Sequence, residues 1–499
     1  MNVRVLAQPL PEVAADAIVT GVVAGAKALP SGLAALDRRA GGRIRAALEV
    51  ERFQAKPGNV THVHLAPATR GSRATPAGLV VVVGLGNGRE ATPETARRAA
   101  AGGLRRARDL GARTVAVELL GDRLPVRDRA HAVVEGAILG TYVFERYKRE
   151  KADKAVERLA VVAPDGRSVR EAEEGARRGE IFAQATWLAR DLVNAPANEM
   201  HPTRLAEAAQ EVAREARLML TVYDRAACGK MGMGAFLGVA AGSQQPPRFI
   251  HLVYAPPGRA RRRVAIIGKG ITFDAGGLDL KTPEGMLRMK DDMSGAAAVL
   301  GVMRALGQLR PAVEVHGLIA ATENMPSGTA LRPGDVLRAM NGTTIEVGNT
   351  DAEGRLTLAD AICYANARVK PDEIVDLATL TGACVVALGP LCSGLFASDQ
   401  ALAGRLLAAA ERAGERVWQL PLIDEYREHL KSEVADLNNV GPRGGGAINA
   451  ALFLKEFAGT TPWAHLDIAG PAFTEKDLPL APKGGTGVAV RTLLAYLTA

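Results

Sequence analysis

Asn349-Thr350-Asp351-Ala352-Glu353-Gly354-Arg355-Leu356 joins an apolar run, Thr343 to Val347, to a segment with helical periodicity. Leu356, Leu358, Ala359, Ile362 and Ala365 recur there at spacings that line one helix face. The octet is therefore a tight strand-to-helix turn with two carboxylates two residues apart. Such a turn aims Asp351 and Glu353 at one point. The free N–H groups of the new helix and the Arg355 guanidinium face the same space, which suits an anion. Without one, a cation at a helix start opposes the helix dipole.

The pattern repeats on either side of the octet. Val264–Gly268, Val313–Ala321, Thr343–Val347, Ile374–Leu380 and Ala464–Ile468 read as strands separated by helical segments, which makes this part of the chain α/β. In open α/β sheets ligands gather beyond the carboxyl ends of strands. Lys269 with Asp274, Asp351 with Glu353, and Thr379 with Leu380 all fall at or just past such ends. The carboxylates of Asp274, Asp292, Asp351 and Glu353, brought together, repel unless cations lie among them. A pair of divalent ions about 3.5–4 Å apart is a natural answer. Oxygen ligands suit Mn²⁺, Mg²⁺ or Zn²⁺ without choosing between them. Taken singly, each acid is equally a surface charge or a helix cap. Asp292 precedes the helical segment Ser294–Leu309 and reads as an N-cap as readily as a ligand.

The octet resembles the signature of the leucyl (cytosol) aminopeptidases, a family of two-metal exopeptidases. Gly268-Lys269-Gly270-Ile271-Thr272-Phe273-Asp274-Ala275-Gly276-Gly277, then Lys281, Met286, Met289-Lys290, Asp292-Met293 and Gly295-Ala296-Ala297, resemble that family's other metal-binding stretch. Asp191-Leu192-Val193-Asn194, Ala378-Thr379-Leu380-Thr381-Gly382 and Trp463-Ala464-His465-Leu466-Asp467 add to the match, which is good over residues 180–499 and loose before them. Ala275, Asp279, Ser294 and Thr282-Pro283-Glu284 depart from the commoner family form and touch none of the matched ligands.

The resemblance implies a cytoplasmic aminopeptidase, a hydrolase that removes N-terminal residues, leucine and other apolar ones preferred, through a metal-bridging hydroxide. It implies that Lys269, Asp274, Asp292 and Glu353 hold one ion, Mn or Zn, and that Asp274, Asp351 and Glu353 hold the other. Because the matched ligand falls on Asp292, its neighbour Asp291 is the better cap or surface candidate. Lys269 as a ligand must be neutral. Lys281 becomes the electrophile at the scissile carbonyl oxygen, and Arg355 holds a bicarbonate that serves as general base. Met289, Asn349, Thr379, Leu380 and Gly382 line or adjoin the substrate pocket, although Met286, Met289 and Met293 also fit a core at helical spacing. A homohexamer acting on peptide substrates is implied as well.

The chain as a whole allows this reading. Its 499 residues, 47% hydrophobic and 23% charged, suffice for two or three globular domains. The expected arrangement is a smaller N-terminal α/β domain over residues 1–170, for assembly or regulation, and a connecting helix over 171–195. A larger catalytic α/β domain with a mixed central sheet flanked by helices follows over 196–499. Gly78–Val83 and Thr114–Leu119 read as strands around an Arg-rich helix, Pro93–Leu110, and Gly84-Leu85-Gly86-Asn87-Gly88 reads as a plain glycine turn lacking dinucleotide-binding spacing. Cys228, Cys363, Cys384 and Cys392 form no metal spacing and no disulfide framework, as in a reducing compartment. No signal peptide is visible. Leu377–Ser398 carries no charge, but Gly382, Gly389, Pro390 and Gly394 make it a buried strand and glycine-rich loop rather than a membrane span.

The net charge of +8 lies wholly in residues 1–175, which hold 28 Lys and Arg against 20 Asp and Glu. A solvated basic surface accounts for this. The alternative is a nucleic-acid-binding regulator with secondary peptidase activity, which aromatics at 4% serve poorly. No His-Glu-x-x-His and no Gly-x-Ser-x-Gly occurs, against a zincin or a serine hydrolase, and His465 reads as a hydrogen-bonded core residue.

Overall fold

The computed structural model describes residues 1–65, 75–88, 92–150 and 155–499. The chain forms two compact α/β units, Met1–Gln184 with Lys476–Pro482, and Ala185–Glu475 with Lys483–Ala499.

The smaller unit carries β1 (Asn2–Leu6), β2 (Ala17–Val22), β3 (Val60–His64), β4 (Leu79–Gly84), β5 (Thr114–Glu118) and β6 (Arg158–Val162) in one sheet, ordered β1-β6-β5-β2-β4-β3. Only β3 runs antiparallel to its neighbour. Every residue of β2 and β4 is buried, as continuous apolar strands are when both sheet faces are covered. The Arg-rich helix α1 (Pro93–Asp109) starts at Thr92, whose hydroxyl accepts from Thr95 N, and packs on α2 (Val126–Gly140). A Cβ at Gly136 would collide with the Arg97 carbonyl oxygen, so the two helices meet backbone to backbone. The glycine turn after β4 is explained in the same way. A Cβ at Gly84 would strike the Lys56 carbonyl oxygen, and one at Gly86, φ +69°, would lie 2.8 Å from Pro57 Cγ.

The larger unit continues from the long helix α3 (Val169–Asn194) with β7 (Met219–Tyr223), β8 (Arg248–Tyr254), β9 (Arg263–Asp274), β10 (Glu314–Asn324), β11 (Val336–Arg338), β12 (Thr344–Glu346), β13 (Glu373–Ala378), β14 (Ser393–Ala397), β15 (Val417–Gln419), β16 (Leu437–Asn438) and β17 (Trp463–Asp467). Eight of these make a mixed sheet ordered β15-β14-β17-β13-β9-β10-β8-β7, with β17, β13, β9 and β10 parallel at its centre. Gly268 pairs with Leu377, and Ala378 pairs with Asp467, so β13 and β17 end at the level of Lys269. Beyond that level β9 runs on beside β10 alone, until Asp274 faces Asn324. A step is thus cut into the carboxyl edge of the sheet, with Lys269 at its base and Asp274 at its lip.

Three helices close over this step: α4 (Ser294–Leu309), α5 (Gly354–Tyr364) and α6 (Gly382–Leu388). A Cβ on Gly295 would collide with the Leu377 carbonyl oxygen, and one on Gly268 would lie 2.5 Å from the Gly295 backbone. These two glycines let the start of α4 press against the sheet at the level of Lys269. One core cluster joins Ala265, Ile267, Phe396 and Trp463 of the sheet to Leu356, Ala359 and Ile362 of α5 and to Leu452, Phe453 and Phe457 of α7 (Gly446–Ala458).

Three expectations are corrected. The run Thr343–Val347 is the short strand β12 of a separate three-stranded sheet with β11 and β16, not part of the central sheet. The helix after the octet, α5, is buried along its whole length rather than on one face, because the sheet, α7 and Gly234–Val239 surround it. The uncharged segment after β13 forms α6 rather than a loop, since Thr381 Oγ1 caps it by accepting from Cys384 N and Gly389 at φ +73° ends it. Among the described residues no helix is long and apolar enough to cross a membrane.

Candidate metal centre

Lys269 lies in β9 with its side chain in the step. Its Nζ lies 2.9 Å from Asp292 Oδ1 and 2.8 Å from Glu353 Oε1, and donates to the Thr379 carbonyl at 3.0 Å. Gly354 makes room for it: a Cβ there would lie 2.7 Å from Lys269 Nζ. Asp274 ends the same strand. Its Oδ1 accepts from Gly276 N at 2.9 Å and from Asn324 Nδ2 at 2.8 Å. The chain then reverses through Gly276 (φ +88°) and Gly277 (φ +68°), where only glycine fits without strain, and Lys281 N donates back to the Ala275 carbonyl at 3.0 Å. That reversal brings Lys281 Nζ to 2.8 Å from Asp274 Oδ2 and 2.5 Å from Asp351 Oδ1.

Carboxylate oxygens of Asp274, Asp351 and Glu353 lie within 4.8 Å of one another. Asp292 joins them through Lys269 and accepts from Thr379 Oγ1 at 2.7 Å. Asp292 Oδ2 and Glu353 Oε2 have no hydrogen-bond partner, although their residues are only 4% and 1% exposed. Burial raises the carboxyl pKa of Asp292 well above its ordinary value; Lys269 opposes the rise, and Asp274 and Glu353 add to it. Glu353 and Asp351 are raised by burial and by Asp274, against the pull of the lysines. For Lys269, burial alone would favour the neutral amine, but Asp292, Glu353 and Asp274 outweigh it and hold the ammonium form. Unpaired carboxylate oxygens in such a place cost several kcal/mol. Divalent cations among them remove that cost, so this donor set fits a metal centre.

A cavity of about 390 Å³ opens over these groups. Lys269, Asp274, Lys281, Asp292, Asp351, Arg355, Met289, Asn349, Thr379, Leu380 and Gly382 line it, and Glu353 lies buried against Lys269. The residues expected as metal ligands, electrophile, anion holder and pocket wall therefore lie together at one place. Met289 faces the cavity while Met293 is fully buried in the core. Arg355, in the first turn of α5, donates from Nη1 to the Asn439 carbonyl at 2.7 Å, and its Nε has no partner. Burial pulls its pKa down to about 10, against Glu353 and Asp467.

Asp291 was expected as a cap or a surface charge. It is 5% exposed, lines the cavity and has its pKa pushed up to about 6 by burial, against Arg288, Lys269, Lys281 and Lys290. A tight turn over Met289–Met293 tucks it in, and no side chain caps α4. A supporting row also went unread in the sequence. Asn324 Nδ2 bridges Asp274 and the Thr350 carbonyl. Asp279 Oδ2 accepts from Thr350 N at 2.7 Å, and Asn439 Nδ2 donates to the Asn349 carbonyl at 2.8 Å. Asp279 carried the only signal, as a departure from the usual family form.

Residues 187–494 match the model of the cytosol aminopeptidase family, catalytic domain, and residues 19–151 match that family's N-terminal domain. A probable cytosol aminopeptidase of Thermosynechococcus vestitus is 46% identical over the full chain and 99% of its own length. One from Aquifex aeolicus is 47% identical over 93% of the chain and 92% of its own. Among solved structures, a mutant of tomato leucine aminopeptidase superposes with a TM-score of 0.90 at 37% identity, covering 100% of this chain and 96% of that one. The bottromycin maturation enzyme BotP, in complex with Mn, gives 0.85 at 40% identity, with 97% and 99% covered. With both domains matched in order and the cavity built from the matched segments, the chain belongs to the cytosol aminopeptidase family and is an aminopeptidase, a peptide hydrolase.

Proposed function

We propose that the enzyme removes N-terminal residues, leucine and other apolar ones preferred, by means of two divalent ions, manganese or zinc. The buried, unpartnered oxygens Asp292 Oδ2 and Glu353 Oε2 carry this reading, and the manganese of BotP supports the same class of ion. Lys269, Asp274, Asp292 and Glu353 would hold one ion; Asp274, Asp351 and Glu353 would hold the other. When bound, the pair supplies Lewis-acid polarisation of the scissile carbonyl and a lowered pKa for the attacking water.

The chain's own groups do the rest. Lys269 enters the loaded centre as a neutral amine, so loading releases its proton. In the metal-free protein Asp274 and Asp351 outweigh the burial that would neutralise Lys281 and hold it as an ammonium. It meets the negative charge that grows on the carbonyl oxygen. Met289, Thr379, Leu380 and Gly382 form the wall that receives the first side chain, with Asn349 alongside. Among the described residues no histidine lines the cavity to take the water's proton. Arg355, cationic and facing the cavity, would hold a bicarbonate there, and that anion would supply the proton acceptor.

This assignment has a direct test with leucine p-nitroanilide. Removing CO₂ and bicarbonate from the buffer should slow turnover, and adding bicarbonate back should restore it. Arg355→Ala should lose that response together with much of its kcat and keep its metals. A wild-type rate indifferent to bicarbonate after thorough degassing would remove the anion from the mechanism and leave the metal assignment standing.

The family likeness also supports a cytoplasmic homohexamer assembled through the catalytic unit. Light scattering at working concentration should report six chains, and a monomer there would refute the assembly.

A further inference from the structure

A charged column stands in the apolar core beneath the cavity. Asp376 of β13 and His465 of β17 are paired in register, and Phe396 of β14 faces His465 from the other side. The Asp376 carboxylate accepts from His465 Nδ1 at 2.5 Å through Oδ1 and from Trp463 Nε1 at 2.6 Å through Oδ2. The imidazole is stacked between the rings of Trp463 and Phe396, 6.3 and 6.2 Å away centroid to centroid. His465 and Asp376 are 1% and 0% exposed. The ring is thus fixed in position and orientation, and its Nδ1 proton is committed.

The other nitrogen is not. His465 Nε2 is buried and has no partner. The Nε of Arg355 is in the same condition. Burial would strip the imidazole of its charge, but Asp376 outweighs that and holds its pKa above the ordinary value; Asp467 adds to this and Arg355 opposes it. Asp467 in turn helps keep Arg355 charged. Asp376 bonds His465 at mid-sheet, Asp467 stands two residues further along β17 and bonds Leu380 and Thr381 of the cavity wall, and Arg355 lines the same cavity, so the four groups alternate in charge.

Such a pair is a poor way to stabilise a core. Replacing a buried ion pair by apolar groups of similar size is often neutral or stabilising, whereas leaving a buried donor unpaired is costly. Trp463, Phe396 and Ile267 around it show that an apolar residue would suit the site. The pair needs a reason other than packing.

We propose that His465 is a positioning residue for Arg355, its Nε2 sharing one buried acceptor, a water molecule, with Arg355 Nε so that the guanidinium is held in its orientation at the cavity. Nη1 is tied to Asn439, so a second tie through Nε fixes the plane of the group. Asp467, already accepting from Leu380 N and from Thr381 Oγ1 at the cavity wall, is the carboxylate available to that water's protons. The inference rests on Arg355 acting in the reaction.

The test uses His465→Gln and the paired replacement Asp376→Leu with His465→Phe, each alone and combined with Arg355→Ala, in the metal-loaded enzyme. Both should lower kcat about tenfold or more, as small misplacements near the chemistry do, while KM and metal content stay close to wild type. In the Arg355→Ala background neither should cause further loss, because the residue they act through is gone. Losses that multiply there, or an unchanged kcat in either folded variant, overturn the proposal. An Arg355→Ala enzyme with wild-type kcat would instead overturn the role given to Arg355 itself. Independently of folding in any variant, a crystal structure of the unsubstituted enzyme that shows waters should place one acceptor within about 3.2 Å of both His465 Nε2 and Arg355 Nε. An acceptor reaching only one of them refutes the link.

Discussion

Stripped of divalent cations, the enzyme should lose its peptidase activity, and Mn²⁺ or Zn²⁺ should restore it. The expectation follows from how badly the acids are served by the protein alone. Asp292 and Glu353 are buried with an oxygen each unpartnered, and the ammonium groups of Lys269 and Lys281 are the cations that reach the carboxylates directly. Among single substitutions of these acids, Asp274→Ala should do the most damage. Its oxygens lie with those of Asp351 and Glu353, and its charge is felt at Asp292 and Lys269 as well. Glu353 also belongs to both proposed ligand sets, but it sits at the start of α5, whereas Asp274 ends β9, the strand that carries Lys269 as well. Elemental analysis alongside rate measurements decides the matter. Full activity in a preparation shown to be metal-free would defeat the assignment, and so would an Asp274→Ala enzyme that keeps both ions and a normal rate.

Which parts of this were legible beforehand depends on whether the information is local. The octet's turn, the lysine and aspartate of β9 and the glycines between them are written in adjacent residues, and their place at strand ends follows from alternation of apolar and helical segments. The two-unit α/β fold follows from the same alternation. What escaped is non-local. Thr343–Val347 has the composition of a sheet strand, but nothing near it says that its neighbours are Leu337 and Leu437 rather than the central sheet. The uncharged stretch after β13 was read from its glycines, while the cap that makes it a helix is one threonine hydroxyl. The family match falls on Asp292 and so leaves Asp291 as the cap or surface charge; the tight turn puts both inside. Asn324 and Asn439 stand 50 and 90 residues from the groups they brace, and only the fold reveals them.

Lys281→Ala should lower kcat by roughly a hundredfold or more, the usual loss when one donor to a developing oxyanion is removed. The side chain projects from a turn that Gly276 and Gly277 reverse and that the Lys281 N to Ala275 carbonyl bond closes, so its approach direction is set by backbone. Its ammonium is partly buried at the rim of the cavity and forms ion pairs with Asp274 and Asp351. Those two carboxylates hold it cationic against burial. With divalent ions held by Asp274 and Asp351, those carboxylates would bind the lysine less tightly, and its side chain would be available to the substrate oxygen. Removing it makes the centre more negative, which favours cations, so metal content should be kept or rise. KM should change less than kcat, because the charge it meets is small in the bound peptide and large in the transition state. The measurement is steady-state kinetics with metal analysis on the same sample. An unchanged kcat would show that Lys281 does not face the reacting carbonyl. A loss of metal with a proportional loss of rate would make it a support of the centre rather than an electrophile. The separation of those outcomes is sharp here because Lys269, the other lysine of the cavity, should behave in the opposite way: its substitution should empty one metal position before it touches the chemistry.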